Sequence, residues 1–256
     1  MKQSGSDQLV KAWLHGDWDI IDGAFFDCFD HKLHVLDSEW PYFIPKNAPR
    51  IRSFDWGSAK PFSVGWYAVS DGTWGLPKDA LFKYREWYGA KGINEGLKMS
   101  SKDVAEGILI REKGEIIKDA VADPSIFIRN GGPSIGEEMA KHGVSFRRAD
   151  NKRIPGWEQL RVRLIGSNGV PMLYFCETCV DSIRTIPSLQ HGVNNLEDIN
   201  TDMEDHAADD VRYAVMSRPW IPTQRKEGNI VVGNVLNMPI NDIIKQRTAK
   251  RLEGLI

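Results

Sequence analysis

Three runs rich in β-branched and aromatic residues follow one another with no helical pattern between them: IRSFDWG from Ile51, FSVGWYAV from Phe62 and ALFKYREWY from Ala80. Each is bounded by Gly, Pro or Asp, so each reads as a strand, and three in succession predict an antiparallel meander. Helix signals begin only afterwards. In SSKDVAEGILIREKG, Ser100 or Ser101 supplies a cap, Val104, Ile108 and Leu109 recur at helical spacing, and Gly114 ends the last turn. IIKDAVADP reads as a strand stopped by Pro124, and PSIGEEMAKHG as a short helix closed by Gly143. A strand at VSF, a helix across GWEQLRVRLIG, a strand at PMLYFC and a helix near ETCVDSIRTIP continue the alternation. The order βββαβα and onward predicts an α/β domain on a mixed sheet flanked by helices.

The composition, 41% hydrophobic and 27% charged over 256 residues, supplies a sizeable core and excludes disorder of the whole chain. No window approaches the roughly 18 to 20 apolar residues of a bilayer span, and the first residues lack the apolar core of an export signal. A protein without a membrane partner is expected. Three cysteines, Cys28, Cys176 and Cys179, argue against a disulfide framework and for a reducing compartment, with the cytoplasm as default. The CxxC of Cys176 and Cys179 has no second ligand pair at zinc spacing and reads as core. No GxxxxGK[ST] and no GxSxG occurs, which leaves no visible ATP site or serine nucleophile. A formal charge of −2 requires any nucleic-acid partner to be held by a local patch.

Residues 1–50, dense in aromatics and acids and broken by Pro41, Pro45 and Pro49, read as a lead-in segment; 51–217 hold the elements above, and 218–256 form a peripheral tail. For the tail's INDIIKQRTAKRLEGLI, an amphipathic partner-binding helix and a disordered terminus fit equally.

Three acids stand where chemistry is carried. Asp55 ends a run otherwise built for burial, so it is either at a strand edge in water or part of a site. Asp123 ends the strand DAVAD, where rigidly placed side chains meet ligands, although Asp-Pro is also a plain turn initiator. Asp209 lies in TDMEDHAADDVRYAVMSRP, whose Thr201 and Glu204 stand at capping-box spacing. Helical turning puts Ala207, Val211, Ala214 and Val215 on one stripe and Asp205, His206, Asp209 and Tyr213 opposite. The macrodipole accounts for acids in a first turn, but the run from Glu197 to Asp210 contains no Lys or Arg, a physical motive for a cation. Three acids from two strands and a helix suit a hard divalent ion, and two such ions about 3.5 to 4 Å apart cleave phosphodiesters. Between them, Lys141 to Arg163 carry seven basic residues, among them Arg147, Arg148, Lys152, Arg153, Arg161 and Arg163, against Asp150 and Glu158. That stretch suits backbone phosphates, or else is a solvated charged face.

At FDWGSAKPFSVGWYAV and EDHAADDVRYAVMSRP, preceded by GDWDIIDGAFFDCFD, the sequence resembles the nuclease domain of the large terminase subunit, the DNA-packaging motor of tailed bacteriophages, over nearly the whole chain. The acidic helix is the most specific of these motifs. The resemblance implies an RNase H-like fold and an endonuclease that cuts concatemeric viral DNA with Mg²⁺ or Mn²⁺. It implies Asp55, Asp123 and Asp209 as metal ligands, with His206 of an HxxD arrangement as a further ligand or proton carrier. It implies double-stranded DNA, the small terminase subunit and the portal protein as partners, and the cytoplasm of the infected or lysogenic host as location. The family's Walker-bearing ATPase half is absent here, so the chain is expected to be a C-terminal portion. Asp205 and Asp210 flank the third acid; the HxxD spacing, one helical turn, favours Asp209. The rivals are a junction-resolving or transposase-like nuclease of the same fold and a non-catalytic module docking on portal or DNA.

Overall fold

The computed structural model describes residues 23–222. The start of the expected lead-in and most of the expected tail, including INDIIKQRTAKRLEGLI, lie outside the described residues.

The three adjacent runs form β2 (Arg50–Asp55), β3 (Ser63–Val69) and β4 (Leu81–Tyr88), paired antiparallel as a meander. A seven-stranded mixed sheet grows from both of its sides, in the order β1 (Val35–Leu36), β9 (Leu173–Cys176), β4, β3, β2, β7 (Ile117–Ala122), β8 (Arg147–Arg148). β7 runs parallel to β2, with β8 parallel beyond it. On the other side β9 runs parallel to β4, and β1 parallel to β9. Residues ahead of position 50 thus supply the edge strand, entered through the single helical turn α1 (His31–His34). The strand expected at VSF forms three residues later, at Arg147–Arg148.

Alternation along the strands separates two cores. Phe54, Val64, Trp66 and Phe82 face α2 (Ser101–Glu112) and α3 (Ile135–Lys141) through Val104, Ile108 and Met139. Ile51, Tyr67, Leu81 and Leu173 face α4 (Arg153–Ile165), α5 (Val180–Thr185) and α6 (His206–Ser217) through Trp157, Leu160, Val211 and Val215. Ser100 caps α2 in a capping box with Asp103, as the sequence signals, but Leu109 points to solvent. Cys176 and Cys179 are buried and free.

One local expectation is corrected, and one element forms that the sequence does not signal. α6 begins at His206 with Asp205 as its N-cap, and no Thr201–Glu204 capping box forms. Glu204 instead takes both guanidinium nitrogens of Arg184, at 2.7 and 2.8 Å, a charged bidentate partner that outcompetes a single backbone amide. A short hairpin, β5 (Ala90–Gly92) and β6 (Glu95–Gly96), carries no sequence alternation and was not expected. It lies on the 58–60 loop, with Gly96 N–H donating to Ala59 O and Lys98 N–H to Ser58 O, 2.9 and 3.2 Å.

Candidate functional site

The parallel strands β2 and β7 end side by side, and their last residues hand the chain to the site. Asp55 is the final residue of β2. Asp123 directly follows β7, where its N–H donates to Phe54 O at 3.0 Å and its Oδ1 accepts from Ser125 N at 2.6 Å to start a 3-10 turn. This is the carboxyl end of the strands, where open α/β sheets collect ligands. α6 crosses on the β2 and β3 side, with its apolar stripe of Ala207, Val211, Ala214 and Val215 fully buried. The opposite stripe brings His206 and Asp209 to the same place. Asp55, Asp123, Asp205, His206 and Asp209 line one cleft of about 340 Å³, together with Arg153 and Arg212. A larger depression of about 420 Å³ at Arg129 and Lys141 has its charges spent on one another, through Arg129 with Glu137 and Lys141 with Glu138.

The electrostatics of the cleft are set by acids facing acids. Burial pushes Asp55 well above its ordinary pKa, and the charges of Asp209, Asp123, Asp205 and Asp210 push it further. Asp205 is raised to about 6, by burial first and Asp209 second, against the opposing pull of His206 and Arg153. His206 is held below its ordinary value because burial outweighs its carboxylate neighbours. Its ring bridges two elements: Nδ1 lies 3.2 Å from Asp55 Oδ2 and Nε2 3.3 Å from Asn94 Oδ1 on the hairpin. A neutral imidazole donating from Nδ1 to Asp55 accepts at Nε2 from the Asn94 amide, whose O and N are interchangeable by a flip.

Protein groups meet part of the charge. Arg212 donates to Asp209 Oδ1 from Nε at 2.9 Å and lies at 2.8 Å through Nη2, while Arg153 Nη1 stands 3.8 Å from Oδ2. Tyr213 OH donates to Asp123 Oδ2 at 2.5 Å. Arg153 Nη2 and Arg212 Nη1 are buried with no partner, a pair of orphaned cationic donors beside the acids.

The donor set suits a hard divalent cation: oxygen ligands from three elements, one imidazole, and a surplus of negative charge that burial makes costly. Among the described residues no three His, Cys, Asp or Glu side chains are drawn together at ion-holding distance. In this state Asp209 and Asp123 are turned to Arg212 and Tyr213 instead. A cation held by these acids would take the place of those side-chain partners.

The basic stretch divides. Arg147, Arg148 and Lys152 are exposed close to the acids' end of the sheet, Arg147 paired with Asp119 at 2.6 and 2.8 Å and Lys152 with Asp150 at 3.4 Å. Arg153 lines the cleft itself. Arg161 turns away to Asp27 and the Phe25 carbonyl. Arg163, expected on the nucleic-acid face, is corrected: it is 2% exposed and donates to the carbonyls of Asp79, Met172 and Arg218, so its charge serves the fold. Sequence reasoning missed Arg212, Asn94 and Asn151, which also line or touch the site. Arg212 had a signal, its spacing of three from Asp209 on one helix face; the other two sit in short irregular segments with none.

No protein-family model and no curated protein matches the chain. Among solved structures, the large terminase of a thermophilic bacteriophage is similar with a TM-score of 0.59 at 19% identity, covering 79% of this chain and 46% of that one. The P22 large terminase nuclease domain is similar with a TM-score of 0.56 at 14% identity, covering 78% of this chain and 94% of that domain. The chain thus spans about half the length of the first and nearly all of the second. At these identities the likeness is one of fold: the mixed sheet with its flanking helices is similar to the fold of the P22 large terminase nuclease domain.

Proposed function

We propose that this chain is a metal-dependent DNA endonuclease, the nuclease part of a phage DNA-packaging motor, cutting concatemeric double-stranded DNA by phosphodiester hydrolysis. The observation that supports it best is the convergence of Asp55, Asp123 and Asp209, from two strand ends and a helix, on one cleft that also holds two unpartnered guanidinium donors. Asp55, Asp123 and Asp209 would hold one or two Mg²⁺ or Mn²⁺ ions, which when bound would supply a nucleophilic water at neutral pH and stabilisation of the leaving oxygen. His206, anchored between Asp55 and Asn94, orients Asp55 and carries a proton at its ring nitrogens. Arg153 and Arg212 offer their free N–H groups to the scissile phosphate, and Arg147, Arg148 and Lys152 hold the flanking backbone without reading sequence. The nuclease unit expected over 51–217 is extended to take in the edge strand β1 at Val35–Leu36, which belongs to the same sheet. The small terminase subunit and the portal are assigned as partners through the longer protein, in the host cytoplasm. Among the described residues no helix is long and apolar enough to cross a membrane.

The test is supercoiled plasmid incubated with the purified chain in EDTA, Mg²⁺ and Mn²⁺. Nicking is expected with metal only, and Asp55→Asn, Asp123→Asn and Asp209→Asn are expected to lower it by at least about 100-fold while keeping the wild-type circular dichroism spectrum. Retained cleavage in all three sinks this assignment. Intact plasmid throughout, with no rise in Tm on adding Mn²⁺, favours the docking-module reading, since a bound ion stabilises the fold by mass action. Preference for four-way junctions over linear duplex would favour the junction-resolving reading.

A further inference from the structure

Beneath the cleft, on the α6 side of the sheet, lies a set of buried charges that the hydrolysis above does not use. Lys83 stands in the middle of β4 with no exposed surface, where an unpartnered ammonium costs several kcal/mol. All three of its protons are placed: on Asp210 Oδ2 at 2.7 Å, Glu86 Oε1 at 2.8 Å and Ser182 Oγ at 2.7 Å. Asp210, equally buried, also accepts from Ser63 Oγ at 2.9 Å, Tyr67 OH at 3.2 Å and Ser53 Oγ. A carboxylate offers about four lone-pair sites, and here they are filled from three different strands. Glu86 ties the group to α5 by accepting from the N–H groups of Asp181 and Ser182, at 2.9 and 3.2 Å. Gly65 makes the room: a Cβ there would stand 2.6 Å from Tyr67 OH and 2.7 Å from Asp210 Oδ2.

The covalent neighbours of this network are the acids of the cleft. Asp210 follows Asp209 on α6, and Ser53 precedes Asp55 by two residues on the same face of β2. Each bond from Asp210 to β2 and β3 therefore sets where the Asp209 carboxylate stands relative to Asp55. Apolar side chains would pack α6 on the sheet as well, and buried ion pairs add little net stability over such packing. What the ion pair adds is a single register.

We propose that the Asp210–Lys83–Glu86 network is a positioning device for the cation-binding acids, fixing α6 over the sheet so that Asp209 and Asp55 hold one divalent cation from two elements. The inference rests on the metal-dependent reading above, and its test separates the two. Mn²⁺ binding to the whole chain is measured by electron paramagnetic resonance for the wild type, Asp55→Asn and Asp210→Asn, alongside near-UV circular dichroism. Folded Asp210→Asn is expected to bind Mn²⁺ about 10- to 100-fold more weakly, the range seen when outer partners of metal ligands are removed. Its affinity for a short duplex in EDTA should be unchanged, and its cleavage rate should recover at raised Mn²⁺. A folded Asp210→Asn with wild-type Mn²⁺ affinity overturns the proposal and leaves the network a purely structural one. Should Asp210→Asn fail to fold, Ser63→Ala and Tyr67→Phe each remove one donor and keep the ion pair. A severalfold weaker Mn²⁺ affinity in these supports positioning, and wild-type affinity in both overturns it. Wild-type binding no tighter than that of Asp55→Asn refutes the metal reading and this proposal with it.

Discussion

Glu112 ends α2 against the sheet, where its Oε1 accepts from the Arg52 guanidinium and from Trp66 Nε1 at 3.0 Å. Arg52 lies over the Phe146 ring at 4.5 Å and donates to Ser145 O at 3.0 Å, which leaves only its Nε without a hydrogen-bond partner. Removing one partner strands a charge: Glu112→Ala is expected to destabilise by about 3–5 kcal/mol in urea unfolding, and the double variant Arg52→Met, Glu112→Leu by clearly less. The acids of the cleft differ, because Asp55 has other acids among its nearest charges, and the stability this arrangement costs without a cation is the physical ground for the proposed site. At this scale the sequence was informative wherever an acid broke a buried pattern, as Asp55 and Asp123 do at their strand ends. It was silent on Lys83 and Asp210, since a lysine inside a strand and one more acid in an acidic run both read as solvated until packing places them together.

The helices show which local signals survive packing. α3 opens with a capping box, Ser134 Oγ accepting from Glu137 N at 3.2 Å and Glu137 Oε2 from Ser134 N at 2.8 Å, and Arg129 adds its guanidinium to the same carboxylate. Those bonds, Arg129 first, hold Glu137 down at about 2. A carboxyl depressed on folding stabilises at pH values above its unfolded value of about 4.3 and loses that contribution as pH falls through the folded value. Stability should therefore decline between about pH 4.5 and 2 partly through Glu137, and Glu137→Gln should flatten that limb in chemical denaturation run at several pH values. A slope unchanged by the substitution would remove Glu137 from the account. The Ser100 box holds at an exposed cap, and the Ser134 box holds beside Arg129 because the Glu137 carboxylate accepts from the guanidinium and from the Ser134 amide together, whereas at Glu204 the Arg184 fork takes the carboxylate and α6 starts at His206. The meander and the α/β alternation were legible for the same reason, being written in patterns of five or more residues. The β5–β6 hairpin and the two-residue strands β1 and β8 are set by neighbours rather than by period.

For the molecule as a whole, a net charge of −2 and a cleft of carboxylates repel DNA, so on the proposed reading association falls to the cations that stand on or beside the cleft, most of them shared with a protein carboxylate. Of the seven basic residues legible as a patch, packing withdraws Arg163 into the core, turns Arg161 to Asp27 and leaves Lys141 on Glu138. Arg147, Arg148, Lys152 and Arg153 remain on or beside the cleft. Four phosphate contacts release counterions with a slope of log Kobs against log salt of about −3.6. Duplex binding measured in EDTA over a salt series should give a slope near that value, and Arg148→Ala with Lys152→Ala should reduce its magnitude by about 2. Arg161→Ala should leave the slope alone. Arg163→Met should act on Tm, because its guanidinium closes three backbone carbonyls rather than meeting phosphate. A slope that responds to Arg161 as strongly as to Arg148 would mean that DNA lies along the outer face of α4 and away from the acids, and the cleft would then need another substrate.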